Sequence, residues 1–291
     1  MSALLKSVVL ACGLSGICQA ARCTTVVDPG VLREYDNYVA GAEQAMASRF
    51  DSGELAWVPG FASKDAAARL ASGKLVRWNI SDAAVNQRIA GRNGTVIHWI
   101  GAIRIHGTSL AGLKAVLEDY DRYDRIYRPM VFECKAEGRE LILGLHNAYR
   151  FASVFPQHYA FRVKARVEDS FGAAVYGVHL GASEIRESDS GVPGRTDFLE
   201  RYHDHGIMWA LNAYWRARQR GTEIYLEFET ITLARSVQGF ACKIGFVPVP
   251  RSLVSAAMDS LPAESVTVIL EGTRAECERR AARPPGSVSG Q

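Results

Sequence analysis

Two successive segments in the last third of the chain alternate apolar and polar residues with a period of two. They are residues 206–219, GIMWALNAYWRARQ, and residues 222–235, TEIYLEFETITLAR, and only Arg220-Gly221 separates them. This period is that of a β-strand with one buried face, and a tight turn at a glycine joins antiparallel neighbours. The two segments therefore predict a β-hairpin whose faces differ in chemistry, so the fold must give each face different surroundings.

A hairpin centred on Arg220-Gly221 assigns the residues of both strands to a charged face and an apolar face. It pairs Asn212 with Glu229, Tyr214 with Glu227, Arg216 with Tyr225 and Arg218 with Glu223. Residues that oppose each other across two strands share a face, so Trp215 and Phe228 fall together on the other, apolar side. We expect the charged face to lie in solvent, with Glu227 and Glu229 as charge partners of Arg216 and Arg218.

The rest of the chain mixes strands and helices. Residues 94–106 alternate like a strand, and residues 108–129 carry two short helical patterns that stop at Pro129. Several further strands follow before the hairpin, and a long helical pattern, broken at Pro262, covers residues 250–283. Successive strands with turn signals between them are typical of an antiparallel sheet with one wet face, so the fold class is expected to be α+β.

The first twenty residues, MSALLKSVVLACGLSGICQA, place Lys6 before an apolar run and end in small residues. This pattern is typical of a cleaved secretory signal peptide, and it predicts a secreted or periplasmic protein. The alternative, an uncleaved anchor, is disfavoured because the run is shorter than the roughly 20 residues that a bilayer span needs.

Residues 21–93 are expected to form an N-terminal helical arm. Leu32, Tyr35, Val39, Ala42 and Met46 recur at helical spacing after Asp28 and Pro29, a cap followed by a first turn. An arm with its own apolar stripe is expected to pack on the domain that follows, at residues 94–281. Residues 282–291, rich in Pro, Gly and Ser, are predicted to be a disordered tail.

Charge and cysteine usage exclude two classes of function. With 34 basic and 31 acidic residues and no basic block, the chain is not expected to bind nucleic acid. Two of its six cysteines lie in the signal segment, and the other four, Cys23, Cys134, Cys242 and Cys277, lack the spacing of a zinc site. Disulfides and buried free thiols both remain open for them.

His203, Asp204 and His205 raise the question of a metal site beside Glu229. His205 precedes Asn212, the expected partner of Glu229, by seven residues, which is on the order of 20 Å along a strand. Metal ligands must all lie about 2 Å from one ion. We therefore expect no metal site and no cofactor, and we place the three residues at the rim of the sheet.

The order of strand, two short helices, antiparallel strands and long C-terminal helix resembles the helix-grip fold of the START-like superfamily, which includes polyketide cyclase and lipid-transfer relatives. The resemblance lies in residues 99–107, in LEDYDRYDRIYRP (117–129), in DHGIMWALNAYWR (204–216) and in the helix that begins at Pro250. It implies a curved sheet wrapped around the C-terminal helix, with a cavity between them for an apolar or amphipathic ligand. It covers about residues 94–278.

This fold implies a set of cavity residues. Aromatic side chains on inward faces are Trp99, Phe161, Trp209, Trp215 and Phe228, and a tyrosine stripe, Tyr120, Tyr123 and Tyr127, falls at one end of the cavity. The tyrosine hydroxyls are candidates to orient a ligand head group. Ordinary core packing is the alternative for each of these residues.

The apolar loop GFACKIGFVPVP, residues 239–250, precedes the long helix. In this fold it would form the cavity mouth, with Phe240, Ile244 and Phe246 as a lid or as a transient contact with a membrane surface. The alternative is a loop covered by the N-terminal arm.

Three functions follow from this reading. The first is a secreted or periplasmic carrier that holds a hydrophobic small molecule or lipid by burial alone. The second is a cavity enzyme of the cyclase, hydrolase or isomerase kind, with His205 and Tyr123 as acid and base; the chain lacks the Gly-x-Ser-x-Gly elbow of a serine hydrolase. The third is an interaction domain whose cavity is filled by side chains.

Overall fold

The protein is described by a computed structural model that covers residues 24–51, 64–148, 158–236, 243–244, 247–248 and 251–282. Its first part contains β1 (Thr25–Val26), α1 (Pro29–Asp51), α2 (Lys64–Ala71), β2 (Val76–Asn79) and α3 (Ala83–Ala90). The middle contains β3 (Gly94–His106), α4 (Leu110–Leu117), a 3-10 turn (Tyr120–Arg122), α5 (Tyr123–Ile126), β4 (Val131–Glu137), β5 (Glu140–Ala148), β6 (His158–Phe171) and β7 (Val175–Glu187). The last part contains β8 (His203–Asp204), β9 (Ala210–Arg220), β10 (Glu223–Arg235), β11 (Lys243–Ile244), β12 (Val247–Pro248) and α6 (Arg251–Ala281).

Eight strands form one antiparallel sheet in the order β2-β3-β10-β9-β7-β6-β5-β4. β3, which begins at Gly94, lies beside β10, the last strand of this sheet along the chain. The long helix α6 packs against β3 and β10. The expected α+β class and helix-grip architecture, a curved antiparallel sheet around a C-terminal helix with an N-terminal helical arm, are confirmed.

The β9-β10 hairpin forms, but with a different turn from the one expected. Arg220 opposes Glu223, so the two-residue turn is Gly221-Thr222 rather than Arg220-Gly221. Gly221 has a φ of +59°, which suits the first central position of a primed turn and is strained for arginine. Each residue keeps its face, and its partner changes by two positions.

The inner face of the sheet and α6 enclose the main core. Large side chains of this face, such as Phe161, Ile103 and Leu226, are fully or almost fully buried. The helix comes so close to β3 that a Cβ on Gly101 would lie 2.4 Å from a methyl carbon of Val266. A glycine at this point of the strand therefore allows the helix to lie directly on the sheet.

The prediction that the charged face of the hairpin lies in solvent was wrong. Helix α1 crosses this outer face, and its predicted apolar stripe packs there: Tyr35, Val39 and Met46 are buried, while Leu32 and Ala42 are partly buried. The partners of the stripe on the sheet are apolar residues at the far ends of the same strands, among them Ile231 and Leu233. The outer face under α1 is therefore a second interior, with an apolar end beside the charged middle of the strands.

The N-terminal arm also contributes a strand. β2 pairs with β3 at the edge of the sheet, and β1 pairs with β8, the His203–Asp204 strand. The N-terminal arm is thus joined to the large sheet through β2, and to the β8 segment through a separate two-stranded sheet. The division of the chain at residues 20, 93 and 281 remains a prediction.

Several predictions concern residues outside the described ranges. The signal segment 1–20, Phe240 and Phe246 of the mouth loop, and nearly all of the tail at 282–291 lie there, and only the backbone of Ile244 is described, in β11. Within the described residues, no helix combines the length and the apolar character needed to cross a bilayer.

Candidate functional site

A cavity of about 130 Å³ lies between the inner face of the sheet and α6. Its sheet wall comes mainly from the hairpin, through Leu211, Ala213, Trp215, Phe228, Thr230 and Thr232. Its helix wall comes from Leu261, Pro262, Ser265 and Ile269. The strand alternation produces the first wall directly, because residues at i, i+2 and i+4 of each strand point to one side.

Trp215 and Phe228 form the aromatic part of the wall. They oppose each other in the hairpin, and their ring centroids are 4.7 Å apart at an interplanar angle of 47°. The indole nitrogen of Trp215 is buried, and it has no hydrogen-bond partner within the described residues. Both residues were predicted to lie inward, and both do.

Two tyrosines of the predicted stripe line the cavity, and their hydroxyls are bonded within the protein. Tyr123 and Tyr127 line the cavity and contact each other edge to face, with ring centroids 4.7 Å apart. Tyr123 donates its hydroxyl hydrogen bond to the carbonyl of Leu117, and the Tyr127 hydroxyl bonds to Thr273 at 3.1 Å. Burial raises the pKa of Tyr123 well above its usual value, so this phenol stays neutral and its proton is already committed.

The other predicted cavity residues do not line this space. Tyr120 packs edge to face on Tyr123, Phe161 is fully buried in the main core, and Trp99 is partly buried against that core. Trp209 belongs to the other side of the sheet, in the cluster under α1. It immediately precedes β9, so the alternation of that strand does not fix the side on which the Trp209 ring lies.

His203, Asp204 and His205 lie at the rim, as expected, but they have separate surroundings. His203 is exposed, whereas Asp204 is buried and accepts hydrogen bonds from the Gly206 amide and the Trp209 indole, both at 2.8 Å. Burial and then the neighbouring charge of Glu187 raise the pKa of Asp204 to about 6. Gly206 has a φ of +78°, a conformation that lets the chain turn tightly around this carboxylate.

His205 is held by Glu187, a residue that the sequence reasoning missed. The imidazole Nδ1 lies 3.0 Å from Glu187 Oε1, and the backbone amide of His205 donates to Glu187 Oε2 at 3.1 Å. Ser183 is an extra residue in β7, since Glu184 opposes Lys164 while Ala182 opposes Ala165. This bulge moves Glu187 onto the same face as Phe161, a change of side that simple alternation does not reveal.

A buried charged cluster occupies the middle of the outer face. Arg216 donates to Glu227 Oε1 at 2.6 Å and also to Glu229, so its predicted partnership with both carboxylates is confirmed. Arg218 opposes Tyr225 rather than Glu223. Glu229 is also reached by Arg49 of α1 at 3.2 Å and by His98 Nε2 at 2.7 Å.

The pKa values of the two glutamates in this cluster shift in opposite directions. For Glu229, burial alone would raise the pKa, but the His98 hydrogen bond and the charge of Arg216 outweigh it and lower the pKa to about 2. For Glu227, burial and the charge of Glu229 outweigh Arg216 and raise the pKa to about 7. Glu227 Oε2 has no hydrogen-bond partner within the described ranges, and Glu227 is the member of the pair that takes up a proton first as the pH falls.

The thiols that the structure describes are both free. Cys134 is partly buried and Cys277 is buried, and burial raises the pKa of each to about 12. Free buried thiols, one of the two alternatives from the sequence, therefore hold for these two residues.

Comparison with known proteins gives similarity of fold to START-superfamily and aromatase/cyclase structures. The Zhui aromatase/cyclase from Streptomyces sp. R1128 has 14% identity and a TM-score of 0.43, over 66% of this chain and 99% of its own. A STAR-related lipid transfer protein fragment from Xanthomonas axonopodis has 15% identity and a TM-score of 0.37, over 69% of this chain and 98% of its own. Human STARD10 has 9% identity and a TM-score of 0.38, over 69% and 81%.

No family model matches the chain, and no curated protein matches it. The helix-grip architecture therefore rests on the strand order and on the position of α6 described above.

Proposed function

We propose that this protein is a carrier that binds a hydrophobic small molecule in the cavity between the sheet and α6. The observation that carries the proposal is that the inward aromatic and aliphatic side chains line a concave space of about 130 Å³, and concave, mostly apolar pockets are the usual form of small-molecule sites. An interaction domain with a filled interior would have no reason to keep this space. The predicted signal segment supports a secreted or periplasmic site of action.

The volume and the lining support a compact ligand rather than a diacyl lipid. A cavity of about 150 Å³ lined by aliphatic and aromatic side chains suffices for one benzene ring. Burial of about 200 Å² of such a ring at about 25 cal/mol per Å² gives roughly 5 kcal/mol before the entropy of association is subtracted. Because roughly 5 kcal/mol corresponds to a dissociation constant of about 0.2 mM, a bare ring is expected to bind no more tightly than this, and more weakly once the entropy of association is subtracted.

A calorimetric titration with p-xylene tests this proposal. Ala213 lines the cavity on β9, so Ala213→Leu fills part of the space and is expected to weaken p-xylene binding at least tenfold. Ala136→Leu introduces the same side chain at an exposed position of β4 and is expected to leave binding unchanged. The absence of p-xylene binding by the wild-type protein, or equal binding by both variants, would overturn the proposal.

The enzyme alternative loses one of its two predicted groups. Tyr123 donates its only hydroxyl proton to the Leu117 carbonyl, so it is not placed to exchange a proton with a ligand. His205 keeps a candidate role, because Glu187 holds its ring in one orientation. Membrane contact through the 239–250 loop remains a prediction, and Phe240→Asp is expected to reduce binding to anionic liposomes if the loop makes that contact.

A further inference from the structure

Glu187 holds the imidazole of His205 in one orientation. One carboxylate oxygen lies 3.0 Å from Nδ1 and the other accepts the backbone amide of the same histidine, so both the ring plane and the backbone are fixed. The far nitrogen, Nε2, is buried and has no hydrogen-bond partner in the part of the chain that the structure describes. A buried polar atom without a partner is costly unless something else satisfies it.

Glu187 lies on the concave side of the sheet, where a carboxylate is unusual. It opposes Phe161 on β6, and Phe161 in turn opposes Leu145 on β5, a residue of the cavity wall. Only 1% of Glu187 is exposed. A charge at this depth persists only with good partners, and within the described part of the chain the carboxylate is hydrogen-bonded by two donors of His205.

The histidine side of the pair also adjoins the cavity. The chain runs from His205 through Gly206 into Ile207 and Met208, and both of these line the cavity. Backbone hydrogen bonds fix the same segment along β10. The Trp209 amide donates to the Leu233 carbonyl, and the Arg235 amide donates to the Gly206 carbonyl. Glu187 and His205 are not themselves among the residues that line the cavity. They adjoin its wall, because His205 lies two positions before Ile207 along the chain and Glu187 lies two strands across from Leu145.

His205 Nε2 is a hydrogen-bond acceptor surrounded by acidic side chains. A carboxylate at Nδ1 keeps the imidazole proton on Nδ1, and Nε2 then offers a lone pair. Asp204 is a second buried carboxylic group beside Glu187. An anionic ligand group would be repelled here, whereas a neutral hydroxyl would donate to Nε2.

We infer that Glu187 and His205 form the polar end of the ligand site, and that the ligand is a neutral ring or short hydrocarbon with a hydroxyl group donated to His205 Nε2. This inference rests on the proposed function and names its ligand class. Glu187 acts as a positioning residue, since both hydrogen bonds of its carboxylate within the described residues go to His205.

A pair of nearly isosteric probes tests the inference. p-Cresol and p-xylene differ by a hydroxyl in place of a methyl group, so His205→Leu is expected to weaken p-cresol binding three- to tenfold, the effect of one hydrogen bond, and to change p-xylene binding less than twofold. His203→Leu, at the exposed neighbour, is expected to change neither. Glu187→Ala is expected to weaken p-cresol selectively, because it releases the imidazole.

The outcomes separate the two proposals. If p-xylene does not bind, the carrier proposal fails; if p-xylene binds and His205→Leu affects both probes equally or neither, only the hydroxyl inference fails. p-Toluate should bind more weakly than p-cresol, and tighter binding of the anion would also overturn the inference. Should His205→Leu not fold, the 15N resonance of His205 Nε2 in the wild-type protein decides, because p-cresol must shift it and p-xylene must not.

Discussion

Arg49 of α1 donates to both carboxylate oxygens of Glu229 at 3.2 Å, across a sequence separation of 180 residues. Glu229 is fully buried, although the alternation of β10 predicts that it faces solvent. The contact is accompanied by hydrogen bonds from Tyr35 to the Ile231 carbonyl and from Tyr214 to Glu43. The N-terminal helix is thereby part of the folded domain rather than an appendage on it.

Removal of the Arg49 guanidinium is expected to destabilise the whole domain. Arg49→Met keeps most of the apolar stem and should lower the free energy of unfolding by about 2 kcal/mol, because it removes a charge-assisted hydrogen bond from a buried carboxylate. Glu229 keeps Arg216 and His98 as partners, which limits the loss. Urea denaturation measures this change.

Arg88→Met is the matched control for that experiment. Arg88 pairs with Glu34 of α1 at 3.3 Å, but both side chains are largely exposed, at 57% and 38%. Exposed pairs contribute about 0–1 kcal/mol. Equal losses from the two variants would show that the position of α1 does not depend on the buried pair.

The buried glutamate pair predicts an unusual dependence of stability on pH. Because folding raises the pKa of Glu227 from 4.5 to about 7, the native state holds this proton more tightly than the unfolded state. The stabilising contribution is complete below pH 4.5 and is lost as the pH rises through about 7. Glu227→Gln cannot ionise, so the wild-type protein should lose about 2 kcal/mol relative to this variant between pH 5 and pH 8. Unfolding free energies at constant ionic strength provide the comparison, and parallel profiles would contradict the assignment of the proton to Glu227.

Two helical glycines are expected to respond in opposite ways to alanine. A Cβ on Gly272 of α6 would lie 2.5 Å from the Ile126 carbonyl oxygen, whereas a Cβ on Gly41 of α1 would meet nothing within 4 Å. Gly272→Ala should therefore lower the unfolding free energy by about 1–3 kcal/mol, because α6 must move away from α5. Gly41→Ala should raise it by about 0.5–1 kcal/mol through helix propensity. Thermal unfolding of both variants measures the difference, and a stabilising effect at Gly272 would mean that α6 does not pack this closely.

The buried thiol of Cys277 is expected to be chemically silent in the folded protein. It is 1% exposed, and burial raises its pKa to about 12, so the reactive thiolate is scarce and inaccessible. In a Cys277-only variant, reaction with a thiol-specific disulfide reagent at pH 8 should become fast only after addition of denaturant. Fast labelling of the native protein would show that the end of α6 opens locally.

Periodicity in the sequence determined the faces of the sheet, because side-chain direction along a strand depends only on residue parity. Trp215 and Phe228 were assigned to one side on this basis, and they remain there although the turn at Gly221 is displaced by one position. The apolar stripe of α1 is equally local, since it depends only on helical spacing. Element order likewise sufficed for the helix-grip architecture.

The tertiary structure alone decided what covers each face. The charged centre of β9 and β10 looks like a solvent-facing surface until α1, which comes from the opposite end of the chain, brings Arg49 and Tyr38 to it. The meeting of Glu187 and His205 depends on a bulge at Ser183, which reverses the parity that the sequence pattern implies. The 130 Å³ left beside Trp215 depends on how closely α6 approaches the sheet. Each of these features arises from contacts between distant segments, and local propensity and spacing do not contain that information.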